Sequence, residues 1–507
     1  MLQPDPDPSL CRALAADLEA AGYRTERLRA AWGSAADGAL GRGHALPARR
    51  ALAQDTGALA VIARLFGLGD EVTADEASRA LPSVGVDGLA ALGLAERTGD
   101  VVRPRVLIRP QAYVDDDGAG EWLVAGDLDE AALGGPLPED HVLSVGQASL
   151  TLAGLQLTGS VGRALDVGTG CGIQALRARR AAASVVATDV SERALRFTRL
   201  NALVNGVDGI QTRRGDMFAP VAGETFERIV SNPPFVITPR VDGVPAYEYR
   251  DGGRVGDGLT AEFIAGVGAH LAAGGTAQLL ANWESRDGVA GLDRVRGWVD
   301  ASDIPLDAWI VERELLDPVA YAELWIRDGG TVPGTPGYDE LLGAWLDDFQ
   351  ARGVAEIGFG YILLRRPAMG APTLARYERI GQPLADGGLG AHLGRALAAH
   401  DRLSALDDAG LAASTLVVAA DVTEARHHLP GAEAPSVIEL RQGGGFARVL
   451  EVDPALAGLV GACDGDLPVG PLIAAIADLL EVDEAALRAD LLPRVRELVF
   501  CGFLGFA

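Results

Sequence analysis

The tetrapeptide Asn232-Pro233-Pro234-Phe235 closely follows a short apolar run and combines groups that suit one chemical task. The NH2 group of an amide or an aromatic ring is a poor nucleophile, because its lone pair is delocalised. The Asn232 side-chain oxygen and the Pro233 carbonyl can accept both hydrogens and favour a pyramidal nitrogen whose lone pair points at an electrophile. The prolines fix the backbone, and Phe235 offers a flat face for a planar substrate group. The alternative interpretation is a proline-rich turn after a strand.

A glycine-rich turn upstream has the spacing G-x-G-x-G, at Gly168, Gly170 and Gly172. A predicted strand that contains Asp166 precedes the turn, and a helix is predicted from Ile173 to about Arg180. Glycines permit a tight turn and a close approach of the backbone to a ligand, and a helix N-terminus favours polar or negatively charged groups. Because Ile173 stands where a dinucleotide-binding turn has its third glycine, a nicotinamide cofactor is disfavoured.

Two further carboxylates stand at the ends of predicted strands. Asp189 follows the strand from Ser184 to Thr188, at about the 20-residue spacing where a carboxylate accepts hydrogen bonds from ribose hydroxyls. Asp216 and Met217 follow a third strand-like stretch, and an acidic residue beside an apolar one can hold an adenine by its amino edge and its face. The alternative for Asp189 is an N-cap of the helix predicted from Glu192 to Asn201.

In this order, the segments resemble the class I S-adenosylmethionine-dependent methyltransferases, and the tetrapeptide is similar to the acceptor motif of members that methylate nitrogen. The resemblance covers about residues 138 to 367. It implies S-adenosyl-L-methionine as the cofactor, with the methionine part on the glycine turn, the ribose on Asp189 and the adenine near Asp216. The implied cofactor-binding residues are Asp166, Gly168, Thr169, Gly170, Gly172, Asp189, Asp216, Met217 and Asn232, and the implied catalytic residues are Asn232, Pro233, Pro234 and Phe235.

The residues after the tetrapeptide are similar to those of the glutamine N5-methyltransferases, which act on release factors and ribosomal proteins. The stretches Tyr249 to Gly253 and Gly256 to Leu259 match the Gly-Gly and Asp-Gly-Leu pattern of that family. The guanine-modifying rRNA enzymes usually carry a His where this chain has Val236. The stretch Ser144 to Leu152 resembles a segment that such enzymes fold over the cofactor, with an ordinary polar turn as the alternative.

The charge of the chain bears on the acceptor. The sequence has 70 acidic and 44 basic residues, a formal net charge of −26, whereas a nucleic-acid-binding surface usually carries basic patches. The composition therefore favours a protein or peptide acceptor, methylated on the amide of a Gln or Asn side chain. Arginines cluster at Arg177 to Arg180 and at Arg193 to Arg199, so an adenine or guanine amino group on RNA or DNA stays open, as does a cofactor-binding protein without turnover.

Length and apolar periodicity predict about three domains in the 507 residues. We expect an N-terminal helical, winged-helix-like domain over residues 1–115, an α/β methyltransferase domain over 116–370 and a C-terminal α+β winged-helix-like domain over 371–507. The central domain is expected to be a doubly wound, mostly parallel, seven-stranded sheet. The insertion from Arg327 to Gly353 is predicted to be a lid, a partner surface or a simple surface excursion. The helix predicted from Val86 to Leu94 has no Lys or Arg, which favours a protein-docking or structural role over DNA binding.

The compartment is predicted from the cysteines and the N-terminus. Cys11, Cys171, Cys463 and Cys501 have neither disulfide nor metal-ligand spacing, so we expect the cytoplasm and no metal ion. The stretch Met1 to Pro8 is acidic and proline-rich, unlike a signal peptide. The chain has no apolar run long enough for a membrane span, and no membrane partner is expected.

Overall fold

The computed structural model describes residues 4–115, 118–133, 137–241, 243–245, 250–384 and 388–507. Tyr249 of the motif above and residues 1–3 lie outside the described residues. The chain divides into two compact units. One comprises Met1–Ala153 with Ser160–Arg379, and the other comprises Gly154–Gly159 with Ile380–Ala507.

The N-terminal part of the chain is helical and then forms short strands. Its elements are α1 (Pro8–Ala21), α2 (Thr25–Trp32), α3 (Ser34–Leu40), α4 (Leu46–Leu52), α5 (Ala58–Ile62), β1 (Val72–Thr73), α6 (Ala74–Ala80), α7 (Gly85–Ala91), β2 (Ala95–Thr98), β3 (Val101–Pro104), β4 (Val106–Asp115), β5 (Gly118–Asp127), α8 (Glu130–Leu133) and α9 (Gln147–Leu155). Thr73 and Glu76 form a capping box that starts α6. Strands β1, β3 and β2 form an antiparallel sheet, and β4 pairs with β5.

The central part alternates strands and helices. Its elements are β6 (Val161–Val167), α10 (Ile173–Arg179), β7 (Ala182–Asp189), α11 (Glu192–Val204), β8 (Ile210–Arg214), β9 (Phe226–Ser231), α12 (Gly258–His270), β10 (Leu271–Arg286), α13 (Gly291–Asp300), β11 (Asp307–Leu316), α14 (Pro318–Asp328), α15 (Tyr338–Ala351), β12 (Val354–Arg365) and β13 (Ala375–Arg379). The predicted helices after the glycine turn and after Asp189 are confirmed as α10 and α11. Helix α14 is absent from the sequence prediction.

The described central strands form one sheet in the order β13-β11-β12-β10-β9-β6-β7-β8. All neighbours pair in parallel except β12, which is antiparallel to both β10 and β11. The mostly parallel α/β sheet is confirmed, but the predicted count of seven strands was one too low. The additional strand, β13, pairs only with β11 at the sheet edge. An edge strand needs little apolar surface, which explains why the polar residues Ala375–Arg379 gave no strand signal.

The N-terminal elements pack on helix α11 of the central sheet. The Asn201 side-chain oxygen accepts the N–H of Ala125 at 2.8 Å and its Nδ2 donates to the Ala125 carbonyl at 2.9 Å, so α11 extends the hydrogen bonding of β5. Arg193 and Asp127 form an ion pair in which each side chain is 3% exposed. Breaking such a buried pair typically costs about 3–5 kcal/mol. The domain boundaries at residues 115 and 370 stay predictions, because packing alone does not show which segments fold independently.

The second unit has its own helices and strands. Its elements are α16 (Gly390–Ser404), α17 (Asp408–Ala412), β14 (Thr415–Val418), β15 (Val422–His427), β16 (Val437–Gln442), β17 (Val449–Val452), α18 (Pro454–Ala462), β18 (Asp464–Pro468), α19 (Val469–Leu480), α20 (Glu484–Phe500) and β19 (Leu504–Phe506). The strands form two three-stranded sheets, β18-β14-β19 and β15-β16-β17. Across the described parts of both units, no helix has the length and apolar character needed to cross a membrane.

Candidate active site

The carboxyl ends of four parallel strands meet at one cavity. Residues at or just after the ends of β6, β7, β8 and β9 line a cavity of about 390 Å³. Strand β6 is the switch point of the sheet, because β7 and β8 follow on one side of it and β9 lies on the other. Ligands of doubly wound sheets bind in the crevice outside such a switch point.

The glycine turn after β6 presents its backbone to the cavity. Gly168, Gly170 and Gly172 have φ angles of 71°, 55° and 87°, in the left-handed region that residues with a Cβ rarely adopt. A Cβ at Gly172 would also lie 3.0 Å from atoms of Thr198 on α11. A Cβ at Gly170 would meet no heavy atom within 4 Å, so only its φ angle demands glycine. Gly172 therefore serves the packing of the turn as well as its shape.

Asp166 lies near the end of β6, directly before the turn, and is fully buried. Its Oδ2 accepts a hydrogen bond from the Thr169 hydroxyl at 2.7 Å, and its Oδ1 is buried without a hydrogen-bond partner among the residues described. Burial raises the pKa of Asp166 to about 7; the Thr169 hydrogen bond opposes the rise, and the negative charge of Asp189 adds to it. Thr169 lines the cavity, whereas Asp166 and Gly172 are not among the described residues that do.

Asp189 ends β7 and binds the glycine turn. Its Oδ2 accepts the N–H of Gly170 at 2.9 Å, and its Oδ1 accepts the N–H of Ser191 at 2.9 Å. The N-cap of α11 is Ser191, whose hydroxyl accepts the N–H of Ala194. The alternative in which Asp189 is only the cap of that helix is therefore wrong. Asp189 lines the cavity and presents a carboxylate to it.

Asp216 and Met217 follow β8 and line the same cavity. Asp216 is exposed and forms an ion pair with Arg254 at 3.0 Å. Met217 has a φ of 47°, an uncommon conformation for a residue with a side chain, and such strain concentrates at ligand sites. Arg254, which the sequence analysis did not single out, thereby joins the residue after β8 to the segment before α12.

The acceptor tetrapeptide begins directly after β9. The Asn232 side chain donates from Nδ2 to the Ser149 hydroxyl at 3.3 Å, and its Oδ1 is buried without a hydrogen-bond partner in the described part of the chain. Asn232, Pro233 and Pro234 line the cavity. The Phe235 ring instead packs against Phe359, at a centroid distance of 5.4 Å, so its stacking on a substrate stays a prediction.

A segment without an assigned role closes the cavity beside the tetrapeptide. Asp251, Gly252, Gly253 and Arg254 line the cavity, and Asp251 forms an isolated antiparallel bridge with Phe235. The sequence signal was present, because this segment carries the Gly-Gly pattern described above. The Asp251 carboxylate was not predicted to be a site residue, because the family pattern in this segment consists of the two glycines that follow it.

The site fits S-adenosyl-L-methionine. The glycine turn exposes its backbone to the cavity, and the Asn232 side chain has one buried oxygen without a hydrogen-bond partner among the described residues. Asp189 offers a carboxylate to hydroxyl donors, and Met217 offers an apolar surface beside Asp216. Among the described residues, no group of three or more His, Cys, Asp or Glu side chains is arranged to hold a metal ion.

The strand order, the glycine turn and the Asn-Pro-Pro-Phe loop define an α/β methyltransferase fold. A sequence profile of the family described as "Methyltransferase small domain" matches residues 145–287. Residues 20–105 and residues 397–505 match two other families, each described as a domain of unknown function.

Three relatives show what the central segment is similar to. Release factor glutamine methyltransferase of Xylella fastidiosa is 36% identical over 148 residues, which are 27% of this chain and 53% of that protein. The protein of the same name from Deinococcus radiodurans is 45% identical over 78 residues, 15% of this chain and 27% of that protein. Ribosomal protein uL3 glutamine methyltransferase of Bordetella pertussis is 29% identical over 236 residues, 44% of this chain and 76% of that protein. The chain thus spans about half the length of the first of these relatives.

Proposed function

We propose that this protein is an S-adenosylmethionine-dependent N-methyltransferase whose acceptor is the amide nitrogen of a Gln or Asn side chain in a protein or peptide. The observation that carries the proposal is the Asn232 side-chain oxygen, which is buried at the cavity and has no hydrogen-bond partner in the part of the chain that the structure describes. An unsatisfied buried acceptor costs about 1–3 kcal/mol. The NH2 group of a substrate amide would satisfy it.

The cofactor would be held by the glycine turn with Asp166 and Thr169, by Asp189, and by Asp216 with Met217. When bound, S-adenosyl-L-methionine supplies a methyl group on a positively charged sulfur. The methyl carbon is the electrophile. The glycine turn also precedes the N-terminus of α10, whose backbone N–H groups favour the carboxylate of an amino acid. This assignment of individual residues is part of the proposal.

The tetrapeptide orients the acceptor nitrogen. Asn232 Oδ1 and the Pro233 carbonyl accept its two hydrogens, which leaves the lone pair free to face the electrophile. The nitrogen becomes more positive as the new bond forms, so both hydrogen bonds strengthen in the transition state. Pro233 and Pro234 have fixed φ angles and no N–H groups, so the loop offers acceptors without competing donors.

Helix α14 holds this loop in place. The Tyr321 hydroxyl accepts the backbone N–H of Ile237 at 3.0 Å and also bonds the Asn282 side chain on β10. The Trp325 carbonyl accepts from the Arg250 guanidinium at 3.0 Å. The helix therefore binds both the segment after the tetrapeptide and the segment that pairs with it. A displacement of about 1 Å at a reacting group can cost ~100-fold in rate, so these contacts support a positioning role for α14.

The surface charges favour a protein acceptor over nucleic acid. Arg193 is buried in its ion pair with Asp127, and Arg199 pairs with Glu192 at 2.8 Å. Phosphate binding relies on accessible cations, and these guanidinium groups already have carboxylate partners. The net charge of −26 and the names of the relatives, glutamine methyltransferases, support the same choice.

A labelling experiment tests the proposed function. Purified protein is incubated with methyl-labelled S-adenosylmethionine and a cell lysate that has been separated into protein and nucleic-acid fractions, with the Asn232→Ala variant as the control. We expect label in the protein fraction, on an amide nitrogen located by peptide mass spectrometry, and none with the control. Methylated adenine or guanine, with a gel-shift complex that weakens steeply as salt rises, would instead establish the nucleic-acid alternative.

We further propose that the flanking modules are winged-helix-like and dock protein partners, and that the protein works in the cytoplasm. The order β1-α6-α7-β2-β3, with β2 and β3 as a hairpin, supports such a module at the N-terminus. The segment from Val86 to Leu94 has no basic residue, which disfavours a DNA-reading helix. The four cysteines are buried and free, which supports a reducing compartment.

A further inference from the structure

Asp251 brings a carboxylate directly beside the acceptor loop. It lines the cavity together with Pro233 and Pro234, and it bridges Phe235 through its backbone. The next residue, Gly252, is so close to the loop that a Cβ there would lie 2.9 Å from the Pro234 carbonyl oxygen. The segment that carries Asp251 is therefore packed against the tetrapeptide without room for a side chain between them.

The Asp251 carboxylate is engaged through one oxygen only. The side chain is 4% exposed. Its Oδ1 is bonded to the Arg240 guanidinium and to the Gly253 N–H, the latter at 3.2 Å, whereas Oδ2 is buried with no hydrogen-bond partner among the residues that the structure describes. A buried oxygen that pairs with nothing in the protein is available to a donor from a ligand.

The charged surroundings determine how readily this carboxylate binds a proton. Burial raises the pKa of Asp251, although the Gly253 N–H and the positive charges of Arg240 and Arg250 oppose the rise. Within the described ranges, the other titratable side chains that line the cavity are His141, Cys171, Asp189, Asp216 and Arg254. Burial lowers the pKa of His141, which makes that imidazole a weaker base.

Methylation of an amide nitrogen requires a proton to leave. The nitrogen lone pair forms the new N–C bond, the S–C bond of the sulfonium donor breaks, and its electron pair stays on sulfur as a neutral thioether. The nitrogen then carries the methyl group, two hydrogens and a positive charge, and one N–H proton must depart to leave the neutral N-methyl amide. The Asn232 amide and the Pro233 carbonyl accept hydrogen bonds, but neither is a base near neutral pH.

We propose that Asp251 is a further catalytic residue, whose Oδ2 takes this proton and releases it to water. The proposal rests on the amide methylation proposed above. A positioned general base contributes about 10²–10⁴-fold in rate. The competing role for Asp251 is structural, as an ion-pair partner of Arg240 that fixes the segment against the loop.

Two variants separate these roles. Asp251→Asn keeps the shape and one acceptor oxygen but cannot take a proton, and Arg240→Gln removes the ion pair but keeps the carboxylate. We expect Asp251→Asn to lower kcat about 100-fold and to abolish the acid limb of the pH–rate profile. Arg240→Gln should keep that limb and move it to higher pH, because a positive charge that lowers the pKa of Asp251 is gone. Cofactor affinity, measured by calorimetry, should be the same in both variants and in the wild type.

Equal losses of kcat in the two variants, with the acid limb intact in both, would overturn the proposal in favour of the ion pair. Loss of the limb in His141→Gln but not in Asp251→Asn would assign the proton to the imidazole instead. If the wild type methylates no amide at all, the proposed function itself fails.

A measurement on the free protein provides a readout besides activity. A carboxyl group whose pKa is raised by folding contributes stability that is complete below its unfolded pKa and is lost as the pH rises through its folded pKa. Denaturant unfolding of the wild type and Asp251→Asn across that range should therefore show the wild type losing stability relative to the variant as the pH rises. A stability difference that does not change with pH would contradict the proton-binding role of Asp251.

Discussion

Replacement of Asn232 by Ala removes the side-chain oxygen that the proposed mechanism places on the acceptor nitrogen. Among the described residues this oxygen has no hydrogen-bond partner, and the side chain has one long hydrogen bond, from Nδ2 to the Ser149 hydroxyl at 3.3 Å. The fold therefore loses at most one ordinary hydrogen bond, worth about 0.5–1.5 kcal/mol. The transition state loses a preorganised partner of a developing charge, worth about 2.7–4 kcal/mol, or roughly 10²–10³ in kcat.

The assay is single-turnover methyl transfer to the acceptor identified by labelling, with calorimetry for cofactor affinity and thermal unfolding for stability. We expect Asn232→Ala to lose at least about 100-fold in rate while it keeps most of its cofactor affinity. The matched control, Ser149→Ala, removes only the partner of Nδ2 and should lose less than about tenfold. A wild-type rate in Asn232→Ala would refute the acceptor role. A loss of cofactor affinity as large as the loss of rate would place Asn232 in the cofactor site only.

Four further outcomes are expected. Asp189→Ala should weaken cofactor affinity by roughly 10- to 100-fold in calorimetry, because a ribose hydroxyl loses its acceptor at a cost of about 1–3 kcal/mol. An unchanged affinity would mean that Asp189 serves only to hold the backbone of the turn. Burial raises the pKa of Asp166 from 3.8 to about 7. Its carboxyl group therefore contributes stability that is complete below the pKa of the unfolded chain and is lost as the pH rises through the pKa of the folded protein. In denaturant unfolding, the free energy of unfolding should fall less for Asp166→Asn than for the wild type across that pH range. Gly172→Ala should lower the thermal stability more than Gly170→Ala. Both substitutions cost about 1–3 kcal/mol of backbone strain, but only the Cβ at position 172 would lie 3.0 Å from atoms of Thr198. Tyr321→Phe should lower kcat with little effect on cofactor affinity, and equal changes in both would argue against a positioning role.

The order and type of the central elements were predictable because each is encoded locally. Buried parallel strands carry short apolar runs, such as residues 185–187 in β7, and closely spaced glycines mark the turn after β6. Asp189 and Asn232 stand at strand ends in the sequence, and parallel strands carry their carboxyl ends to the same edge of a sheet. These features predicted one shared site, and both residues line the same cavity.

The elements that were missed have weak local signals. Strand β13 is polar and pairs on one side only, so no apolar run indicates it. Helix α14 lies mostly before the insertion predicted from Arg327 to Gly353. Its Tyr321 is 2% exposed, and the Tyr321 hydroxyl accepts the N–H of Ile237 after the acceptor loop. Neither the edge position nor the hydroxyl contact can be seen in a pattern of apolar residues.

Residue type and spacing were enough to predict the class of chemistry, because the glycine turn, the strand-end carboxylates and Asn232-Pro233-Pro234 are local features of the sequence. Tertiary structure alone decided what each polar group does in its surroundings. It buried Asp166 and raised its pKa to about 7, and it set Asp251 beside the loop through pairing with Phe235. It also left one oxygen of Asn232 without a hydrogen-bond partner among the residues that the structure describes. The physical reason is that desolvation and hydrogen-bond satisfaction depend on neighbours that are distant in sequence.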